Sequence, residues 1–125
     1  MTALSIFNPV PTFDKPGVML TEAFELFDKG YAVAAAMTAR VSLESYVRML
    51  CHTHDLRLAK NTKGSRVKKQ VLMLVEAEIF SPEESELAGK IIDIGNQAAH
   101  GYRVDAEDFE CALLDLCGIV KGGAL

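Results

Sequence analysis

One helix of this chain has both of its ends written in the sequence. Ser81-Pro82-Glu83-Glu84 carries a serine to accept from the first turn, a proline whose fixed φ suits the first helical position, and a glutamate three residues after the serine that can return the bond. Gly101 then supplies the residue best suited to close a helix. A helix over Pro82 to about Ala99 follows, with Leu87, Ile91, Ile94 and Ala98 as its apolar stripe. Within it, Gly95 stands where glycine costs about 1 kcal/mol against alanine. Asn96 and His100 are four apart and share a face with Gly89 and Asp93, more than about 100° from the centre of the stripe. Small residues around them (Ala88, Gly89, Ala98, Ala99) predict that another backbone comes close here.

The other helices read off in the same way. Pro16 marks the start of a first helix through Leu20, Ala23, Phe24 and Phe27, which Gly30 stops. A second runs from Tyr31 to about His52 with Val33, Ala36, Met37, Leu43, Val47, Leu50 and Cys51 on its stripe. A third runs from about Ser65 to Ile79 and buries Val67, Val71, Leu74 and Val75. Asp105, with Asp108 three residues on, caps a last helix from Ala106 to about Val120, burying Phe109, Leu113, Leu116, Cys117 and Val120. Cys111 and Cys117 are both read as core residues. Residues 1–16, with Pro9, Pro11 and Pro16, read as an extended arm, and residues 121–125 as a fraying tail. No segment alternates with period two. The expectation is an all-α domain, an antiparallel four- to five-helix bundle, and its 125 residues suit a single core.

Two charged side chains break the second helix's pattern. Arg40 and Glu44 fall on the stripe where apolar residues belong, and charges are rarely buried unless paired. They can pair with each other, although base before acid is the weaker order on a helix surface. Either they fix how the helix packs, or they line a polar site with Asn96 and His100.

Charge distribution adds a second candidate surface. The chain carries a formal net charge of −4, which gives no general attraction to polyanions. Yet six of its 13 Lys and Arg residues lie between 55 and 69: Arg57, Lys60, Lys63, Arg66, Lys68 and Lys69. Asn61, Gly64 and Ser65 mark a turn inside this run. Arg66, Lys68 and Lys69 open the third helix, where positive charge opposes the dipole, so helix stability does not explain them. Lys60, Lys63, Arg66, Lys68 and Lys69 are therefore candidates for a phosphate-binding surface, against the plainer reading of a solvated loop. Aromatic residues do not interleave with them, so a base-stacking platform is not indicated.

The remaining features narrow the class. Three cysteines, an odd count, predict reduced thiols in a cytoplasmic protein. No basic and apolar leader and no bilayer-length apolar run is visible, so no membrane partner is expected. Cys51-His52-Thr53-His54 holds zinc-type ligands but lacks a second spaced pair, so no metal is expected. No glycine-rich phosphate loop or serine nucleophile motif appears, and no cofactor is expected.

Three segments taken together resemble a known superfamily: the hairpin EAFELFDKGYAVAAAMTARVSLESYVR, the later helix, and its end IGNQAAHG. Ala39-Arg40 and Leu43-Glu44, followed later by Gly95-Asn96 and His100, resemble the HEPN-like superfamily. The likeness is closest to the uncharacterised bacterial domain that occurs alone or appended to restriction endonuclease subunits, and it covers roughly residues 17–120. It implies a helical bundle that pairs as a homodimer with polar residues near the shared face. Catalytic members are metal-independent ribonucleases with an arginine separated from the histidine after it by four to six intervening residues. Positions 93–95 hold Asp93, Ile94 and Gly95 instead. The leading expectation is thus a non-catalytic or weakly catalytic module linked to nucleic acid, in a defence or toxin setting. The alternatives are an endoribonuclease with His100 as acid and base, Arg40 as phosphate clamp and Asn96 as positioning group, and a purely structural dimerisation domain.

Overall fold

The computed structural model describes residues 15–122, with side chains to Val120. The chain forms five helices: α1 Pro16–Asp28, α2 Ala32–Thr53, α3 Arg66–Glu76, α4 Pro82–Ala99 and α5 Ala106–Gly122. Among the described residues there is no strand, and the all-α bundle expected from the sequence is the one observed.

Capping chemistry sets most of the boundaries. The Ser81 hydroxyl accepts from the Glu84 N–H at 3.1 Å while the Glu84 carboxylate accepts from the Ser81 N–H at 2.8 Å, closing the box that starts α4. Asp105 accepts from the Asp108 N–H at 3.0 Å, and Ser65 from the Lys68 N–H at 3.3 Å. Gly30 and Gly101 take φ of 87° and 82°, the left-handed conformation that ends α1 and α4 at little cost to a residue without a Cβ.

α2 organises the bundle, packing against each of the other four helices. Three residues separate α1 from α2, so the two lie antiparallel side by side. The interior is built from Leu20 and Ala23 of α1, Ala35, Ala36, Ala39, Leu43, Tyr46, Val47 and Cys51 of α2, Val67, Val71 and Leu74 of α3, Ala88, Ile91, Ile92 and Ala98 of α4, and Phe109, Ala112, Leu113, Leu116 and Val120 of α5. Three alanines on the inner face of α2 leave room for the crossing helices to come near. Ser42 is fully buried, and its hydroxyl donates to the Pro16 carbonyl at 2.8 Å, which pins the start of α1 to the middle of α2. Phe27 meets Phe109 edge-on at 5.6 Å between ring centroids, tying α1 to α5. Lys90 of α4 reaches Asp108 of α5 at 2.5 Å, and that hydrogen bond raises the lysine's pKa above its ordinary value.

Several expectations are corrected. The third helix stops at Glu76, short of Ile79, because Glu78 adopts φ of 60° and the Ile79 N–H folds back to the Leu74 carbonyl at 2.9 Å. Nothing in the residue types there signals a left-handed turn. Of the stripe expected on α2, Ala36, Leu43, Val47 and Cys51 are buried and Leu50 partly so, but Val33 and Met37 are exposed; Ala35, Ala39, Ser42 and Tyr46 complete the inner face. The alanines made the true inner face hard to distinguish from its neighbour. Cys111, read as core, is exposed, and Cys117 is only partly buried. α5 extends to Gly122, beyond the expected start of the tail. The arm over residues 1–14 and the last residues, 123–125, lie outside the described residues.

Candidate functional site

Glycine 95 lies where α4 crosses α2. A Cβ built on it would sit 2.6 Å from the Cβ of Arg40, 2.9 Å from its Cδ and 3.1 Å from its Cγ. Any side chain at 95 would collide with the Arg40 stem, which explains a glycine in the middle of an otherwise good helix. The close approach anticipated from the small residues is thus present at Gly95. It is absent at Gly89, where nothing lies within 4 Å of an added Cβ.

The stem laid across Gly95 delivers the guanidinium to the next residue. Arg40 Nη1 donates to Asn96 Oδ1 at 2.7 Å, a short, charge-assisted bond. Arg40 Nε stands 3.5 Å from Glu44 Oε1, an ion-pair distance. The alignment does not make it a hydrogen bond, since Nε is shielded from solvent without an acceptor. The side chains of Arg40 and Glu44 retain 24% and 29% of their exposure. The cluster is therefore half-buried, and its attraction is screened on its outer side.

Asn96 and His100 extend this surface along α4. His100 caps the C-terminus of α4, is exposed, and has no side-chain hydrogen bond or ion pair among the described residues. So Arg40, Glu44 and Asn96 are brought into contact, while His100 stands one helical turn further along the same face. Asp93, a turn in the other direction, is engaged by Lys68 Nζ of α3 at 2.9 Å. Two polar groups thus lie a turn apart along α4: Lys68 with Asp93, and Asn96 with Arg40 and Glu44.

The basic segment folds into the turn between α2 and α3. Arg66 Nη1 donates to the Ala59 carbonyl at 3.4 Å, and the Lys69 stem passes 3.8 Å from the point where a Cβ would leave Gly64. The Arg66 bond ties the turn to the start of α3. Lys68 is paired with Asp93 and Arg57 with Asp55, whose Nε–Oδ1 distance is 3.1 Å. Lys60, Lys63 and Lys69 have no ion-pair partner among the described residues.

A family model described as a domain of unknown function, DUF4145, matches residues 21–120. The chain belongs to this family. Neither a curated protein nor a solved structure matches it. The DUF4145 match runs from α1 into α5, so it spans Arg40, Glu44, Asn96, His100 and the basic turn alike. No helix of the described DUF4145 domain is long and apolar enough to cross a membrane. Among its described residues no three His, Cys, Asp or Glu side chains gather as a metal site would require.

Among the described residues of this DUF4145 domain, two of the larger clefts could hold a ligand. One, of about 480 Å³, is lined by Tyr46, Leu50, Ile79, Phe80, Glu84, Asp115, Gly118 and Ile119. It offers two carboxylates and no cation, and one of those carboxylates, Glu84, already caps α4. The second, of about 340 Å³, lies at the end of α2 and is lined by Arg48, Cys51, His52, Asp55, Leu56, Arg57, Leu58, Arg66 and Gln70. Sequence reasoning included Arg66 but missed Arg48, His52 and Gln70. Arg48 and His52 are four apart near the C-terminal end of α2, facing the basic turn that follows; that spacing was the available signal.

Proposed function

We propose that this domain is a dimeric, non-catalytic nucleic-acid-binding module. The single observation that carries the reading is the concentration of positive charge at one end of an acidic protein. Lys60, Lys63, Arg66 and Lys69 sit on the turn and first helical turn after α2, and Arg48 joins them from α2 itself. Lysines and arginines on a folded turn neutralise phosphates and release counterions, which makes binding strong at low salt and independent of sequence. Lys68 contributes less because Asp93 already neutralises it.

The Arg40 cluster favours binding over catalysis. Metal-free cleavage of RNA needs a cation free to meet the phosphorane and a base within reach of the attacking hydroxyl. The Arg40 guanidinium is held by Asn96 and faces Glu44 within its own chain, and no hydrogen bond or ion pair among the described residues joins His100 to it. A second copy is the partner that fits the neighbouring surface. Val33, Met37 and Val41 are exposed at successive turns of α2. Val33 and Val41 are equally spaced about Met37, so a two-fold axis there seats each valine on the partner's other valine. The resemblance to HEPN-like modules suggests a cytoplasmic defence or toxin setting for such a dimer.

The test is RNA incubated with purified protein in EDTA, alongside binding measured against salt. The expected result is intact RNA and an affinity that falls with salt. Changing Lys60, Lys63 and Lys69 to Gln lowers the salt slope by about one for each phosphate no longer neutralised. Cleavage that His100→Ala abolishes overturns the non-catalytic reading in favour of the ribonuclease. An affinity indifferent to the three lysines returns the basic turn to a solvated loop. Met37→Asp should shift the dimer to monomer in sedimentation; a monomeric wild type at working concentration removes the dimer.

A further inference from the structure

The cleft at the end of α2 differs from the basic turn beside it. It is concave, and its wall and rim separate by chemistry. Cys51 is buried and Leu56, Leu58 and Gln70 are half-buried, forming the inner wall; Arg48, His52, Arg57 and Arg66 are exposed around the mouth. Three guanidiniums face one carboxylate, Asp55, and that carboxylate is already engaged by Arg57. Arg48 makes no hydrogen bond or ion pair among the described residues, and Arg66 spends one Nη on a long contact to the Ala59 carbonyl. Most donors of both forks are unengaged among the described residues. Two planar forks lining one cleft suit an oxyanion with several acceptor oxygens, because each can bond it through two parallel N–H groups.

The backbone turns sharply at the residues that line the cleft. Asp55 adopts φ of 55°, and the Leu56 N–H returns to the Cys51 carbonyl at 2.8 Å. The last carbonyls of α2 are thereby occupied by the chain's own N–H groups, which blunts their repulsion of an anion. The volume of about 340 Å³ falls at the small end of ligand pockets. It is too confined for a duplex and suits one terminal group.

We infer that this cleft binds a terminal phosphate monoester, held between Arg48 and Arg66 with its organic part against Leu56 and Leu58. A monoester carries up to two charges and three free oxygens, whereas each internal diester carries one charge and two. The double fork therefore prefers a strand end, or a free nucleotide, over the middle of a strand. Its strand-end form rests on the proposed nucleic-acid function; its nucleotide form does not.

The experiment compares one short single-stranded RNA with a 5′-phosphate, the same RNA with a 5′-hydroxyl, and a nucleoside monophosphate. Binding to the full chain is measured by fluorescence anisotropy and calorimetry at fixed salt. The phosphorylated strand should bind about tenfold more tightly than the hydroxyl strand, the factor worth one good charge-assisted pair. Arg48→Gln and Arg66→Gln should each abolish that ratio. Arg48→Lys, which keeps the charge and loses the fork, should recover only part of it. Both positions are at the surface, and circular dichroism confirms folding of each variant. Equal binding of both strands, with salt dependence intact, overturns the cleft and leaves the nucleic-acid reading standing. Binding of the monophosphate alone, lost in Arg48→Gln, supports the cleft and overturns the nucleic-acid reading. No binding of any of the three overturns both.

Discussion

The sharpest consequence of the α2–α4 crossing concerns alanine at two glycines of one helix. Gly89 and Gly95 both lie inside α4, and on propensity alone either change to alanine stabilises by about 1 kcal/mol. At Gly89 an added Cβ meets nothing within 4 Å, so Gly89→Ala should deliver most of that gain. At Gly95 the new Cβ would stand 2.6 Å from the Arg40 Cβ, a separation that no rotamer relieves because a Cβ is fixed to its backbone. Helices α2 and α4 must move apart, and overpacking of this kind costs about 1–3 kcal/mol. It also stretches the 2.7 Å bond from Arg40 to Asn96. The balance for Gly95→Ala is a loss of about 1 kcal/mol, the propensity gain set against the overpacking cost.

Thermal and urea unfolding followed by circular dichroism reads both changes. Gly95→Ala should lower Tm by about 4 °C, and Gly89→Ala should raise it by a similar amount or less. A double-mutant cycle identifies the cause. Arg40→Ala keeps the Cβ that makes the shortest contact and should rescue Gly95→Ala little. Arg40→Gly removes all three clashing atoms and should give a clear favourable coupling. If Gly95→Ala stabilises as Gly89→Ala does, the crossing is not as close as described, and the account of Arg40 reaching Asn96 over a bare glycine fails with it.

Three further outcomes follow from single positions. Glu78→Gly should raise stability by about 0.5–1 kcal/mol in urea unfolding, since glycine takes its φ of 60° without the Cβ cost. In native protein, iodoacetamide should modify exposed Cys111 first and spare buried Cys51, whose thiol pKa burial pushes up; peptide mass spectrometry reads the order, and equal labelling refutes it. Burial, and then the charge of Glu84, raise the Tyr46 hydroxyl above its ordinary 10.0. The folded state then holds its proton where the unfolded state has lost it, so stability is full below pH about 10 and declines as pH rises past it. Tyr46→Phe should flatten that decline.

The helices were legible wherever a local signal and the long-range packing agreed. Ser81, Glu84, Asp105, Gly30 and Gly101 declare their ends through residue chemistry that acts within a few positions. The end of α3 was not legible, because Glu78 enters the left-handed region as the Ile79 and Phe80 N–H groups return to the Leu74 carbonyl, a demand made by the bundle. The inner face of α2 was misread by about one residue's rotation. Its true contacts are small, with Ala35 and Ala39 inside and Val33 and Met37 outside, so hydrophobic size pointed the wrong way. For the site, residue oddity was informative. A glycine in mid-helix and an arginine on an apolar stripe were each anomalous alone, and together they mark one crossing. Arg48 was not anomalous at all, since an arginine on an exposed helix face needs no explanation, and only its place in one cleft with Arg66 and Gln70 gives it a role.

The crossing also limits what the Arg40 cluster can be. A salt bridge kept only for stability would align Glu44 with a guanidinium nitrogen, yet Nε is left without an acceptor and the short bond goes to the neutral Asn96. An unsatisfied buried N–H costs about 1–3 kcal/mol, so the arrangement is not the one that stability alone favours. What it achieves is orientation: the stem is trapped by Gly95, the tip is fixed by Asn96, and the Glu44 side chain stays 29% exposed beside the apolar row Val33, Met37 and Val41. A second copy docking on that row would bring new donors to Glu44 and complete the cluster from outside. Arg40→Met with Glu44→Leu separates the two roles. Monomer stability should hold or rise, because an apolar pair replaces an imperfect ionic one, whereas the affinity of the proposed dimer should fall because the polar register beside the row is lost. If stability and dimer affinity both survive the double change, the cluster is packing and nothing more.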